Sequence, residues 1–230
     1  IAAVKFNIPL IVWGENSQNE YGGPLSKINN NILDRSWLEE FGGLLGLRVT
    51  DLHNAYGIEK KDLLPYIYPS DEELKKANIT GIFLGHYIEW DGSKNAEIAS
   101  LNGFKSYNKI VEGTATPYEN LDNYQHGIHD YFKYIKYGFS RATDQVCMAI
   151  RRKKITRKDG IDIIKKYDGK YPNIYLGKKL EDIIKEIGID KNHFDNICDQ
   201  FTNKKLFKLD NKKKPLKDKD GNLIPLFEIE

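Results

Sequence analysis

Residue types capable of chemistry are densest between Glu119 and Arg157. His126, His129, Asp130, Lys133, Lys136, Arg141, Asp144, Arg151 and Arg152 crowd one stretch there. His126 and His129 stand three apart, on one face if the stretch is helical, with Asp130 beside them. Two imidazoles and a carboxylate on a single helix cannot easily close a tetrahedral metal site, and the Glu of a zinc-protease motif is missing, so no metal is expected. Hydrogen bonding to a sugar or placing a phosphate suits these groups better. Gly138, followed by Phe139, Ser140 and Arg141, predicts two helices meeting at a sharp joint, with Ser140 capping the second and its first amides open to an anion. A cation at a helix start lies against the amide dipoles, so Arg141 costs a few tenths of a kcal/mol there unless an anion compensates it. A phosphate would do so, with Lys136 reaching the same group across the bend and the Arg fork holding two oxygens. A pair between Arg141 and Asp144 on the helix surface is the structural alternative, and a solvated basic face is the bland one.

The elements that must hold these groups follow from periodicity. Ile128, Phe132, Ile135, Phe139, Ala142, Val146 and Ile150 recur at three- and four-residue steps, the period of a buried helical face. Thr116, Pro117 and Glu119 carry the signals of a helix start ahead of them. Pro9 to Val12 is a short apolar run with the look of a parallel strand buried on both faces, and Ile1 to Asn7 reads as the end of a helix leading into it. Thr80 to Tyr87 is a second strand. Ligands of open α/β sheets collect beyond the carboxyl ends of strands. That places Trp13, Gly14, Glu15, Asn16, Glu20 and Tyr21 after the first strand, and Tyr87, Glu89, Trp90, Asp91, Lys94 and Asn95 after the second, with both loops on one sheet edge. An ordinary polar loop and an aromatic plug are the structural readings of the same residues.

Elsewhere the pattern predicts scaffold. Asn29 to Gly46 has amphipathic helical spacing, and Val49 to Pro69 looks irregular. Ser70 and Glu73 form a capping box for a helix ending near Asn78, Ser93 caps one running to about Asn102, and Thr156 with Asp159 caps another through Lys166. Gly177 to Ile187 and Lys191 to Phe201 read as a helical pair, Lys204 to Lys219 as a basic tail, and Asp220-Gly221 as a hairpin turn. At 230 residues with net charge +2 and 30% charged residues, the chain can bury one good core and has no strong field favouring nucleic acid or membrane. Its apolar runs are strand-sized. Cys147 and Cys198 lack metal spacing and read as reduced core thiols of a cytoplasmic protein.

HDYFKYIKYGFSRATDQVCMAIRRKKITR with KYDGKYP, together with IPLIVWGENSQNEYGG and FLGHYIEWDGSKNAEIA in the same order, resembles the bacterial N-acetyl sugar amidotransferases of lipopolysaccharide and flagellin-glycan biosynthesis. These belong to the PP-loop, adenine nucleotide α-hydrolase-like superfamily, and the resemblance runs from Ile1 to about Phe201. It implies an α/β fold: a parallel-sheet PP-loop domain lacking its N-terminal part over residues 1–155, a helical appendage over 156–203 and the basic tail over 204–230. No SGGxDS-type turn and no G-x-x-x-x-G-K-[ST] loop occurs in the sequence, so the chain is expected to be the C-terminal part of a longer enzyme, inactive alone. The implied reaction converts a sugar acetamido group to acetamidino, using ATP with Mg²⁺ and ammonia from a glutaminase partner. The resemblance assigns Gly14, Glu15, Asn16 and Glu20 to nucleotide and metal, Lys136, Arg141 and Arg152 to phosphoryl oxygens, and Tyr87, Trp90, Asp91 and His129 to the sugar. A PP-loop tRNA-modifying enzyme and a non-catalytic scaffold docking a glutaminase remain the alternatives.

Overall fold

The computed structural model describes residues 1–14, 32, 35 and 46–229. Helix and strand are mixed, with one small parallel sheet. The chain forms two compact units, Ile1–Gly92 and Ser93–Glu230.

In the first unit, α1 (Ala2–Phe6) ends on Asn7, which takes left-handed φ of 53° and returns its amide to the last turn. Strand β1 (Leu10–Trp13) follows. Among the described residues, helices α2 (Val49–Tyr56) and α3 (Lys60–Leu63) come next, and a 3₁₀ turn over Leu64–Tyr66 is set by Pro65. The stretch after Val49 is thus helical where an irregular loop was expected. Gly57, in the left-handed region, separates α2 from α3 so that the helical signal is broken into pieces too short to show a period. Helix α4 (Asp71–Ala77) carries the expected box, Ser70 Oγ accepting from the Glu73 amide. Strand β2 (Thr80–Phe83) then pairs with β1 in parallel, Leu10 opposite Thr80 and Trp13 opposite Phe83. The carboxyl ends of both strands therefore share one sheet edge, as the alternating pattern predicts. Two expectations are corrected here. Strand β2 stops at Phe83 because a 3₁₀ turn over Leu84–His86 bends the chain before Tyr87. Strand β1 is not buried on both faces, since Leu10, Ile11 and Val12 are 49%, 37% and 49% exposed. The expected helix from Asn29 to Gly46 lies almost wholly outside the described residues.

The second unit opens on α5 (Gly92–Leu101), which begins one residue before the expected cap at Ser93. Its centre is α6 (His126–Tyr137), α7 (Arg141–Arg151), α8 (Arg157–Tyr167), a two-residue hairpin of β3 (Ile174–Tyr175) with β4 (Lys178–Lys179), α9 (Leu180–Lys185) and α10 (Lys191–Phe201). Helix α6 starts at His126 rather than near Thr116. Thr114 Oγ1 instead donates to the carbonyls of Val111 and Thr116, while the side chain of Gln145 accepts from the Ala115 amide at 2.6 Å, so residues 113–117 form a pinned turn. The buried face of α6 is Gly127, Asp130, Tyr131, Tyr134 and Ile135. Its tyrosines pack with Tyr171, Leu180, Ile184, Phe194, Cys198, Phe207 and Leu223 into one core. The expected stripe therefore holds at Ile135, Ala142 and Val146 but not at Phe139, which is 42% exposed.

Residues 204–229 are not a solvated tail. Bridges at Phe207–Pro225, Leu209–Pro215 and Lys217–Leu223 fold them into a compact meander, and a turn from Asp218 to Asn222 falls at the predicted Asp-Gly. Phe207, Pro215 and Leu223 face inward while the lysines stay outside, except Lys217, which is half-buried and paired with Asp199. Composition alone hides this, because every lysine counts as polar whichever way the chain between them turns.

Candidate functional site

Helices α6 and α7 meet where the sequence places a joint. Gly138 ends α6 with φ of 81°, a left-handed value that a side chain would strain, and returns its amide to Tyr134 O. Ser140 occupies the N-cap position of α7, but its hydroxyl does not cap. It reaches back and donates to the carbonyl of Asp130 at 2.6 Å, stitching the two helices together. The anion at the amino terminus of α7 is the protein's own. Asp168, just past α8, accepts from the Ser140 amide at 2.9 Å and from the Thr143 hydroxyl. Burial pushes the Asp168 carboxyl above its ordinary range, and those two hydrogen bonds only partly oppose it. Its other oxygen is buried without a protein partner.

Asp130 of α6 is a second buried carboxylate. The Asp130 side chain is 3% exposed. One oxygen stands 3.0 Å from His129 Nδ1, and the other accepts from Asn120 Nδ2 at 3.1 Å and lies 3.5 Å from Arg141 Nε. The Arg141 contact is an ion pair without hydrogen-bond geometry, and that nitrogen is buried. His129, the outermost member, keeps a side chain 67% exposed, so its ring is fixed at one nitrogen and open at the other. The cluster is an imidazole oriented by a buried carboxylate, backed by a guanidinium and an amide: a geometry for proton transfer at the ring nitrogen facing outward.

Asp130 and Ser140 also line a cavity of about 220 Å³, walled by Tyr167, Tyr171 and Tyr175 and edged by Lys109 and Glu112. Tyr175 lies directly on α6, because Gly127 offers no side chain there: a Cβ would come within 2.5 Å of the ring. Its hydroxyl donates to Asn120 O at 3.0 Å, which anchors the loop that supplies the Asn120 amide to Asp130.

The other expected site residues distribute as follows. Arg141 and His129 come together on Asp130. Lys136 does not join them: its ammonium lies over the rings of Phe201, 4.7 Å away, and Phe132, because α6 turns it toward α10. A shared phosphate clamp of Lys136 and Arg141 is therefore corrected, as is the open α7 amino terminus, which Asp168 fills. The alternative pair of Arg141 with Asp144 is also not formed, since Asp144 pairs with Lys133. Arg152 stands at the C-cap of α7, half-buried. Gly14, exposed, follows β1, while Glu15, Asn16 and Glu20 lie outside the described residues. Tyr87 and Trp90 are exposed and Asp91 is buried, all three beyond β2 in the first unit. His126 faces Asp122 at 3.5 Å and takes no part in the Asp130 cluster. Among the described residues no group of three or more His, Cys, Asp or Glu is placed to hold a metal ion, and no helix is long and apolar enough to cross a membrane. Sequence reasoning missed Asn120, Thr143 and Asp168. Asp168 carried a faint signal, a carboxylate in the YDGKYP string, but nothing local tied it to Ser140.

Residues 112–218 match the family model described as "LPS biosynthesis protein WbpG-like, C-terminal domain". The match spans the pinned turn, the α6–α7 joint, both buried carboxylates and most of the C-terminal meander, and supports a lipopolysaccharide-biosynthesis protein family. No curated protein matches the chain.

Proposed function

We propose that this chain provides the acceptor side of an ATP-dependent amidotransferase that converts a sugar acetamido group into an acetamidino group during surface-glycan biosynthesis. The observation that carries the reading is the His129–Asp130 pair, buried at the carboxylate and open at the imidazole, within the stretch that matches a lipopolysaccharide-biosynthesis family. An amide oxygen is a poor leaving group. ATP with Mg²⁺, when bound, would supply the adenylyl group, with release of pyrophosphate, so that this oxygen departs as part of AMP.

The chain's own residues act at the ammonia step. The nitrogen of ammonia adds to the acetamido carbon, the C–O bond breaks, and the added nitrogen must shed its surplus proton. With Nδ1–H held by Asp130, His129 presents the Nε2 lone pair and takes that proton. Asp130 fixes the tautomer and balances the imidazolium, while Arg141 and Asn120 hold Asp130 in place. Ammonia comes from a separate glutaminase. Cys198 is unsuited to that role, being buried with its thiol pushed up to about 12 by burial.

The test is sugar-dependent AMP formation by the intact protein, given ATP, Mg²⁺, ammonium chloride and nucleotide-linked 2-acetamido sugars, with mass spectrometry for exchange of O for NH in the product. AMP formation that ignores the sugar, or that is unchanged in His129→Ala, overturns the proposal.

A further inference from the structure

The cavity beside Asp130 has no part in the proton transfer just described, and its walls specify a ligand. Two carboxylates reach it, Asp130 from α6 and Glu112 from just ahead of the pinned turn, so a phosphate or other anion would meet like charge there. Lys109 is already paired with Glu112 at 2.7 Å. Asp130 uses one acceptor position on each oxygen for His129 and Asn120, and a carboxylate has about four, so it can take further donors. Glu112 accepts from the Leu176 amide at 3.0 Å, which aims its head group, and its side chain is only 27% exposed. Lys170 also lines it, its ammonium donating to the Lys165 carbonyl at 3.1 Å, and Tyr167, Tyr171 and Tyr175 supply aromatic wall beside Ile110 and Ile174. A ligand matched to oriented acceptors beside aromatic faces presents several hydroxyl donors on a ring with an apolar face. That is a carbohydrate. The volume limits it further, since about 220 Å³ is room for about seven waters. One pyranose ring fills such a space and a nucleotide-linked sugar does not.

We infer that this cavity binds a single 2-acetamido hexose ring, with Glu112 accepting from ring hydroxyls and Tyr167 forming the wall, while anything linked to the anomeric carbon stays outside. The inference rests on the amidotransferase reading for the identity of the sugar, and it brings the ring next to the carboxylate that orients His129.

Saturation-transfer NMR and titration of the 230-residue chain with methyl glycosides of N-acetylglucosamine and N-acetylmannosamine test it. At least one glycoside is expected to show transfer to ring and acetamido protons, and uridine monophosphate alone should not displace it. Tyr167→Ala and Glu112→Gln should each weaken binding by about tenfold or more. Tyr167 lies outside the core cluster, and Gln keeps the acceptor for Leu176, so both variants should fold. Absence of saturation transfer with either glycoside, displacement by uridine monophosphate, or undiminished binding in both variants overturns the assignment. Sugar-dependent AMP formation by the intact protein together with any of these results sinks the cavity assignment alone. Glycoside binding that both variants weaken, without sugar-dependent AMP formation, sinks the amidotransferase reading alone.

Discussion

At Asp130 one buried charge meets three partners of different kinds, and each partner makes a separable claim. Replacing the carboxylate with an amide, Asp130→Asn, keeps the shape and an acceptor for Asn120 but can no longer enforce Nδ1–H on His129. The expected result is AMP formation lowered by about 100-fold or more, with ¹⁵N shifts of the His129 ring showing a mixed tautomer. Unchanged turnover would remove the pair from the mechanism. Arg141→Ala asks something else. The guanidinium faces a carboxylate whose side chain is 3% exposed, so its loss leaves buried charge under-compensated and should destabilise the second unit by about 1–3 kcal/mol, read by thermal or urea unfolding. The sequence predicts nearly unchanged stability for this variant, and the difference comes from a carboxylate eleven positions away in the sequence that no local pattern ties to Arg141. Asp168 makes a pH claim. The fold raises its carboxyl, chiefly by burial, so the native state favours the protonated form. That contribution is complete below the ordinary range near 3.8 and is lost as pH rises through the raised native value. At neutral pH the charged carboxylate is a cost, relieved in part by Ser140 and Thr143. Asp168→Asn, with an oxygen still able to accept from both, should melt at or above wild type at neutral pH and lose the gain seen on acidification. A variant that melts far below wild type at neutral pH would show that the charge itself holds α7.

Among the elements, the joint of α6 and α7 was the most legible, and the reason is covalent. Gly138 and the amphipathic runs beside it act within a few residues, as do the boxes at Ser70 and Thr156, and local signals of that kind survive without tertiary information. The parallel pairing of β1 with β2 was legible for a similar reason, since two apolar runs separated by helices have few other arrangements. What completes the joint was not legible. Asp168 reaches Ser140 from beyond α8, and Tyr175 reaches Gly127 from the hairpin, both contacts of tertiary origin. The start of α6 was misplaced because Thr116 and Pro117 serve a turn pinned by Gln145, a partner twenty-nine positions on. Gly127 supplies the prediction at this scale. Gly→Ala inside a helix ordinarily gains up to about 1 kcal/mol. Here the new Cβ would stand 2.5 Å from the Tyr175 ring, so Gly127→Ala should instead cost about 1–3 kcal/mol and disturb the cavity wall. Adding Tyr175→Ala should remove the clash, so the double variant is less destabilised than the sum of the singles, measured by a double-mutant cycle in urea. Additive effects would mean that the ring moves aside freely.

For the molecule as a whole, the informative segment is the one that composition dismisses. Residues 204–229 hold every lysine but Lys217 outside and Phe207 and Leu223 inside, 0% and 5% exposed, within the cluster that contains Tyr134, Ile184 and Phe194. Phe207 meets the Tyr134 ring with centroids 5.4 Å apart, the Lys208 amide donates to Ile224 O, and the Leu206 carbonyl accepts from the Leu226 amide. The helices on either side of residue 155 are likewise joined, since Gly160 of α8 sits against Val146 and Ile150 of α7. One core therefore spans α6, the α9–α10 pair and the terminal meander. If the meander were only a solvated basic extension, cutting the chain after Asn203 would leave the melting transition of the second unit in place. With Phe207 and Leu223 in the core, the cut exposes the rings of α6 and α10 to water, and the truncated chain should lose cooperative unfolding or its near-ultraviolet aromatic signal. Phe207→Ala in the whole chain separates loss of packing from loss of chain, and should cost about 3–5 kcal/mol by urea denaturation. Lys212→Ala and Lys214→Ala, on the exposed side of the same meander, should stay within about 0.5 kcal/mol of wild type. A truncated chain that melts as sharply and as high as the whole one would show that the core closes without this segment. The buried carboxylates would then owe their positions to the helices alone.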